Sequence, residues 1–165
     1  MSGIIVIAHN IRSAHNIGSI FRSADCFGVS ELILCGYSPY PAIDDDSRLP
    51  HIVDKLTQQI HKTALGTENT VPYSYSEAPP LDELKKRGYS LVALEQSTAS
   101  TLLATYNPPE MVALIIGEER FGITQDILDR CDTILEIPQY GTKESLNVSV
   151  ATGICLYHLS QTSYT

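Results

Sequence analysis

The sequence predicts an α/β domain: a mostly parallel sheet flanked by helices. Two patterns carry this reading. Ile4–Ala8, Glu31–Cys35, Val71–Tyr75, Tyr89–Leu94, Met111–Ile116 and Thr133–Ile137 are short, mostly apolar runs. They are largely continuous rather than alternating, as in strands buried on both faces. Segments with apolar residues at helical spacing separate most of them, and that alternation is the signature of helix-covered parallel sheets. The chain has 165 residues, 43% of them hydrophobic and 18% charged, which suits one globular unit with a real core. No linker, repeat or low-complexity stretch divides it, so residues 1–165 are expected to form a single domain.

The elements follow in order. Ile4–Ala8 reads as the first strand. From Asn16 the apolar positions Ile17, Ile20, Phe21 and Ala24 have helical spacing, with Asn16 as a candidate N-cap and Gly28 as a stop. Arg22 and Asp25 fall off that stripe. Gly36–Pro50 is a loop, and its Asp44–Asp46 run reads as a solvated face. His51–Ala64 is a helix with Ile52, Leu56 and Ile60 on one side. Pro80–Gly88 is another, with proline at its start and glycine at its end. Lys85, Lys86 and Arg87 sit in its last turn, where the helix dipole favours cations. Thr124–Arg130 is a short helix. Asn147–Ser160 is the last helix, with Ala151, Ile154, Cys155 and His158/Leu159 along one side, so His158 reads as a packing residue.

Composition excludes several classes. No apolar run approaches the roughly 20 residues of a membrane span. The start of the chain reads as a strand rather than a signal peptide. The four cysteines show no C-x-x-C spacing and the five histidines no paired spacing. Reduced thiols, a cytoplasmic location and no metal site are therefore expected. The formal net charge is −8, so a polyanion could be bound only where the few cations gather.

Three strand-end loops look ready for a ligand: Leu94–Ser97, Ile116–Gly122 and Ile137–Asn147. Ligands of open α/β sheets sit at such carboxyl ends. No G-x-G-x-x-G occurs. Gly117 and Gly122 have phosphate-loop spacing but lack the lysine that should follow. Glu118 and Glu119 would repel phosphate and suit a cationic or neutral ligand. Ser145 lies outside any G-x-S-x-G elbow. Ser145 and Asn147 can equally be read as a helix cap.

Asn16-x-Gly18-x-x-x-Arg22, Gly117-x-Glu119-x-x-Gly122 and Ile137-Pro-x-x-Gly141-x-x-x-Ser145-Leu-Asn147-Val-Ser149 together resemble the three motifs of the SpoU/TrmH branch of the SPOUT methyltransferases. The resemblance spans nearly the whole chain, and Lys62–Gly66 resembles the family's middle region. Gln139 departs from the methionine common in relatives, and Ala14 from their proline. The resemblance implies a SPOUT fold with a C-terminal deep trefoil knot. It implies S-adenosyl-L-methionine as methyl donor, the ribose 2′-hydroxyl of tRNA or rRNA as acceptor, and a homodimer. DNA and membrane partners are not expected, nor is a separate RNA-binding extension.

On this resemblance, Arg22, Asn16, Glu119, Ser145 and Asn147 are the catalytic candidates. Leu94, Glu95, Gln96, Gly117, Ile137, Gln139 and Leu146 would bind the cofactor, with Gly117 allowing close approach. Arg12, Arg22, Arg120 and Lys143 would form the local cationic patch for RNA. Arg22 is read as a clamp on phosphate and forming alkoxide rather than as a base, because a guanidinium rarely gives up its proton. Its plainer role would be an ion pair with Asp25 or with a helix-end carboxylate. The alternative to an enzyme is a non-catalytic RNA-binding or assembly module on the same fold.

Overall fold

A computed structural model describes residues 3–161. Seven parallel strands form one sheet: β1 (Gly3–His9), β2 (Glu31–Cys35), β3 (Tyr73–Ser76), β4 (Ser90–Leu94), β5 (Thr101–Leu102), β6 (Met111–Ile116) and β7 (Thr133–Glu136). Their order is β3-β2-β1-β6-β4-β7-β5. The chain thus builds one side of the sheet outward from β1, whereas on the other side it lays down β4 and the edge strand β5 first, then places β6 between β1 and β4 and β7 between β4 and β5. All the pairings are parallel, for example Ile5 beside Glu31 on one side and beside Ala113 on the other.

Among the described residues, five α-helices cover the sheet: α1 (Ala14–Cys26), α2 (Pro50–Ala64), α3 (Leu81–Lys86), α4 (Gln125–Leu128) and α5 (Val148–Ser160). Strand β1 shows why its apolar run is unbroken. Ile4, Val6 and Ala8 pack into the core that contains residues of α1 and α5, whereas Ile5 and Ile7 face the core that contains residues of α3 and α4. Successive strand side chains point to opposite faces, so both sets must be apolar.

Helix α1 begins earlier than its periodicity suggests. Ser13 is the N-cap, and its side chain accepts the Asn16 N–H; Asn16 lies inside the first turn. This frees the Asn16 amide for other partners. Helix α1 packs closely on α2 at Gly18, where a Cβ would stand 2.1 Å from Thr63 Oγ1 and 2.3 Å from the Ile60 carbonyl oxygen. Helix α2 has Pro50 at its first position and ends on Leu65 and Gly66, both at positive φ.

Helix α5 corrects the predicted stripe. Its buried residues are Thr152, Cys155, Leu156, Leu159 and Ser160, whereas Val150, Ile154 and Tyr157 are exposed. The helix is apolar nearly all round, so periodicity could not choose the inner face. His158 packs as expected, with Nε2 2.7 Å from the Tyr106 carbonyl oxygen. The Asp44–Asp46 run is not wholly solvated either: Asp46 holds Arg48, whose guanidinium also donates to the carbonyls of Tyr40 and Pro41. Arg48 lies 3.5 Å from the Tyr40 ring centroid, and Tyr40 stacks on Tyr75. Strand β5, two residues long and paired only to β7, had no sequence signal.

Candidate active site

The strand order places β6, β4 and β7 side by side, so their C-terminal loops open into one cleft. It is lined by Leu94, Glu95 and Gln96 after β4, by Gly117–Glu119 and Gly122 after β6, and by Ile137, Gln139, Ser145 and Leu146 after β7. Every residue nominated for the cofactor lies on this wall. Leu94, Ile116, Leu135, Ile137, Leu146 and Val148 make it apolar, and Glu95, Glu118, Glu119 and Glu136 put carboxylates around it.

Side chains latch the loops together. Glu95 accepts the N–H groups of Gln96 and Ile123, tying the β4 loop to the β6 loop. Gln96 Nε2 donates to the Glu144 carbonyl oxygen, tying it to the β7 loop. Gln139 folds back on the Ile137 carbonyl. Gly117 also lets the loop close tightly: a Cβ there would lie 2.6 Å from Ile123 Cγ1 and 2.7 Å from the carbonyl carbon of Gly122.

At one lip, Glu119 gathers the first motif. It accepts the N–H of Arg12 at 3.1 Å and of Ser13 at 3.4 Å, and the Asn16 amide at 3.0 Å. Burial pushes its carboxyl up, but these bonds outweigh that and hold it below its ordinary value. Asn147 Nδ2 donates to Asn16 Oδ1 at 3.2 Å, while Asn147 Oδ1 caps α5 by accepting from Ser149. Three motifs distant in sequence thus share one hydrogen-bond chain, Glu119–Asn16–Asn147. Glu118 is buried. Its Oε2 accepts the Phe121 N–H, and Oε1 faces Arg12 Nε at 3.3 Å, an ion-pair distance without hydrogen-bond geometry.

Arg22 is exposed and stands in a neighbouring groove between α1, the end of α2 and α5, with Lys62, Ser149, Val150, Ile154 and Tyr157. It makes no ion pair among the described residues, and Asp25 instead accepts from Thr70. Six residues along α1 from Asn16 correspond to about 9 Å of helix. Arg120 and Lys143 are exposed on the β6 and β7 loops. Sequence reasoning missed Glu118, Ser13 and Ser149 as partners of the lip. Ser13, three residues before Asn16, was a legible cap signal. No group of residues that could hold a metal occurs among the described residues.

The SpoU rRNA Methylase family model matches residues 3–157. The chain belongs to that family. A tRNA (guanosine(18)-2′-O)-methyltransferase from Aquifex aeolicus is 33% identical over 93% of this chain and 67% of its own length. The 23S rRNA (guanosine-2′-O-)-methyltransferase RlmB of Neisseria meningitidis is also 33% identical, over 93% of this chain and 56% of its own. This SpoU-family chain therefore spans little more than half of some relatives it matches. The Aquifex aeolicus TrmH/SpoU tRNA modifying enzyme superposes with a TM-score of 0.81 at 28% identity, over 99% of this chain and 77% of that one. The methyltransferase AviRb of Streptomyces viridochromogenes, in complex with AdoMet, shares the fold with a TM-score of 0.81 at 23% identity, over 99% of this chain and 59% of that one. No helix among the described residues is long and apolar enough to cross a membrane.

Proposed function

We propose that this chain is a cytoplasmic S-adenosyl-L-methionine-dependent methyltransferase acting on a ribose 2′-hydroxyl of tRNA or rRNA. The observation that carries the reading is the Glu119–Asn16–Asn147 chain, which joins the three motifs beside a cleft with apolar walls and a carboxylate rim. Those walls fit a nucleoside, and the carboxylates fit a sulfonium cation. Ile137 and Leu146 would flank the adenine, and Ser145, which makes no hydrogen bond among the described residues, remains free to bond the ligand. When bound, the cofactor supplies an electrophilic methyl group.

The residues have three tasks. The latched loops exclude water and fix the angle of attack, and such alignment alone can be worth about 7–11 kcal/mol. Asn16 and Asn147 orient the acceptor. Arg22 holds the adjoining phosphate and stabilises the oxygen as its proton passes to water; a guanidinium is too weak an acid to give up its own proton and serve as the base. Exposed Leu65, Val150, Ile154 and Tyr157 beside Arg22 form an apolar seat for a second copy of the chain, making a homodimer with Arg22 at the junction. The β7 loop, latched by Gln96 across the β4 loop, is the segment we infer to thread the trefoil knot.

The test is transfer of radiolabelled methyl to RNA and to DNA of the same sequence. RNA alone should be labelled, since DNA lacks the acceptor. Arg22→Ala should lower transfer by about 100-fold or more while the affinity for S-adenosylmethionine changes little. Retained turnover refutes the role of Arg22. Cofactor binding without methylation of any cellular RNA would favour a non-catalytic module instead.

A further inference from the structure

Three adjacent strands, β2, β1 and β6, end beside the cleft, and their loops carry an unusual lip. Tyr37 follows β2 and is 54% exposed; Phe121 follows β6 and is 74% exposed. Arg12, between them on the β1 loop, reaches Glu118 at 3.3 Å with its side chain 63% exposed. Arg120 lies 5.2 Å from the centre of the Phe121 ring.

The backbone that carries these rings is anchored. The Tyr37 N–H donates to Asn10 Oδ1, and Asn10 and Gly36 both take positive φ to bring the two loops together. The next residue, Ser38, is buried, with its hydroxyl donating to the Ala8 carbonyl and accepting the Ile11 N–H. The Phe121 N–H is anchored on buried Glu118. The Tyr37 phenol and the Glu118 carboxylate lie close enough to Arg12 to raise its guanidinium above its ordinary value. Strands lie about 4.8 Å apart, so the ends of β2 and β6, from which these loops start, lie about 10 Å apart with β1 between them. That is the scale of one or two nucleotides of an extended single strand.

An aromatic–cation–aromatic row of this kind suits unpaired nucleic acid. Every base has a face that can stack, and cations between the rings meet the phosphates. It also resolves the acidic balance of the chain. With a net charge of −8, long-range attraction cannot gather a polyanion, so affinity must come from short-range contacts.

We propose that the lip formed by Tyr37, Arg12, Phe121 and Arg120 seats the unpaired nucleotides flanking the acceptor ribose. Tyr37 and Phe121 stack bases, and the two arginines hold the phosphates between them. The substrate is therefore a single-stranded or looped RNA, not a continuous duplex. This deepens, and rests on, the RNA methyltransferase reading.

The experiment uses a fluorescein-labelled oligouridylate of about 12 nucleotides, alone and annealed to oligoadenylate, with binding read by anisotropy. The single strand should bind at least about 10-fold tighter than the duplex. Tyr37→Ala and Phe121→Ala should each weaken it by about 5- to 100-fold, the scale of losing one stacked base. Tyr37→Phe and Phe121→Tyr should retain affinity, whereas Phe121→Leu, apolar but not aromatic, should behave as alanine does. With two cations on the lip, the slope of log affinity against log salt should be shallow, about −1.4, and unchanged by the ring variants. Alanine variants that bind like the unchanged protein, or that lose strand and duplex equally, overturn the lip. If the unchanged protein still methylates RNA in that case, the functional reading survives alone. Ring-dependent binding without any methyl transfer leaves the lip standing and removes the activity. Absence of both binding and transfer removes both.

Discussion

Replacing Glu119 tests the central latch most directly. Its carboxylate receives two backbone N–H groups, from Arg12 and Ser13, and the Asn16 amide. The site is at the exposed rim, so water can satisfy part of what is lost. Each bond is then worth about 0.5–1 kcal/mol, below the range for buried charged groups, and Glu119→Ala should cost about 1–3 kcal/mol. Glu119→Gln keeps one acceptor but presents an amide to donors, and should cost about 1 kcal/mol. The sign of the pH dependence follows from the depressed carboxyl. A folded value below the ordinary 4.5 means that the stabilisation is full above about 4.5 and is lost as pH falls through the folded value. Urea denaturation of both proteins between pH 7 and about 3 should show a gap that closes on acidification. A gap that stays constant or widens as pH falls would refute the charge-assisted latch. Methyl transfer should fall in Glu119→Gln at neutral pH even where the protein remains folded, because Asn16 loses its anchor.

Other perturbations separate folding from chemistry. Asn147→Asp keeps the oxygen that caps α5 but removes the donor to Asn16. Stability should change by less than about 1 kcal/mol while transfer falls about 10-fold, and an equal loss of both would contradict the split role. Gly117→Ala puts a Cβ against the backbone of Gly122. Calorimetry should show lost cofactor binding, with a stability cost of about 1–3 kcal/mol in thermal melts. Gly18→Ala forces α1 off α2 and should lower the melting temperature without touching the cleft residues. The thiols of Cys35 and Cys155 are pushed up to about 12 by burial, and Cys131 to about 11. At pH 8 all three should resist an aromatic disulfide reagent until urea unfolds the chain, and rapid native reaction at any of them would show that burial is wrong.

Much of the architecture was legible because its causes are local. Two-sided burial leaves continuous apolar runs such as Ile4–Ala8, and Pro50 and Gly66 mark the ends of α2 within a few residues. The loops with chemistry were readable for a similar reason: glycines 117 and 122 close a turn that no other residue could. Where local signals were weak or doubled, the reading failed. Helix α5 is apolar on most faces, so Ile154 was assigned inward, and Ser13 rather than Asn16 won the cap of α1.

By itself, then, the amino-acid order determined every strand but β5, most helices and the parallel class, since these depend on periodicity and turn chemistry over spans of ten or so residues. Only the tertiary structure decided that β4 lies between β6 and β7, that Glu119 reaches back more than a hundred residues to the start of α1, and that Arg22 stands in a separate groove beside α5. Those facts depend on which surfaces meet after the chain has crossed over itself, and no local pattern records that meeting.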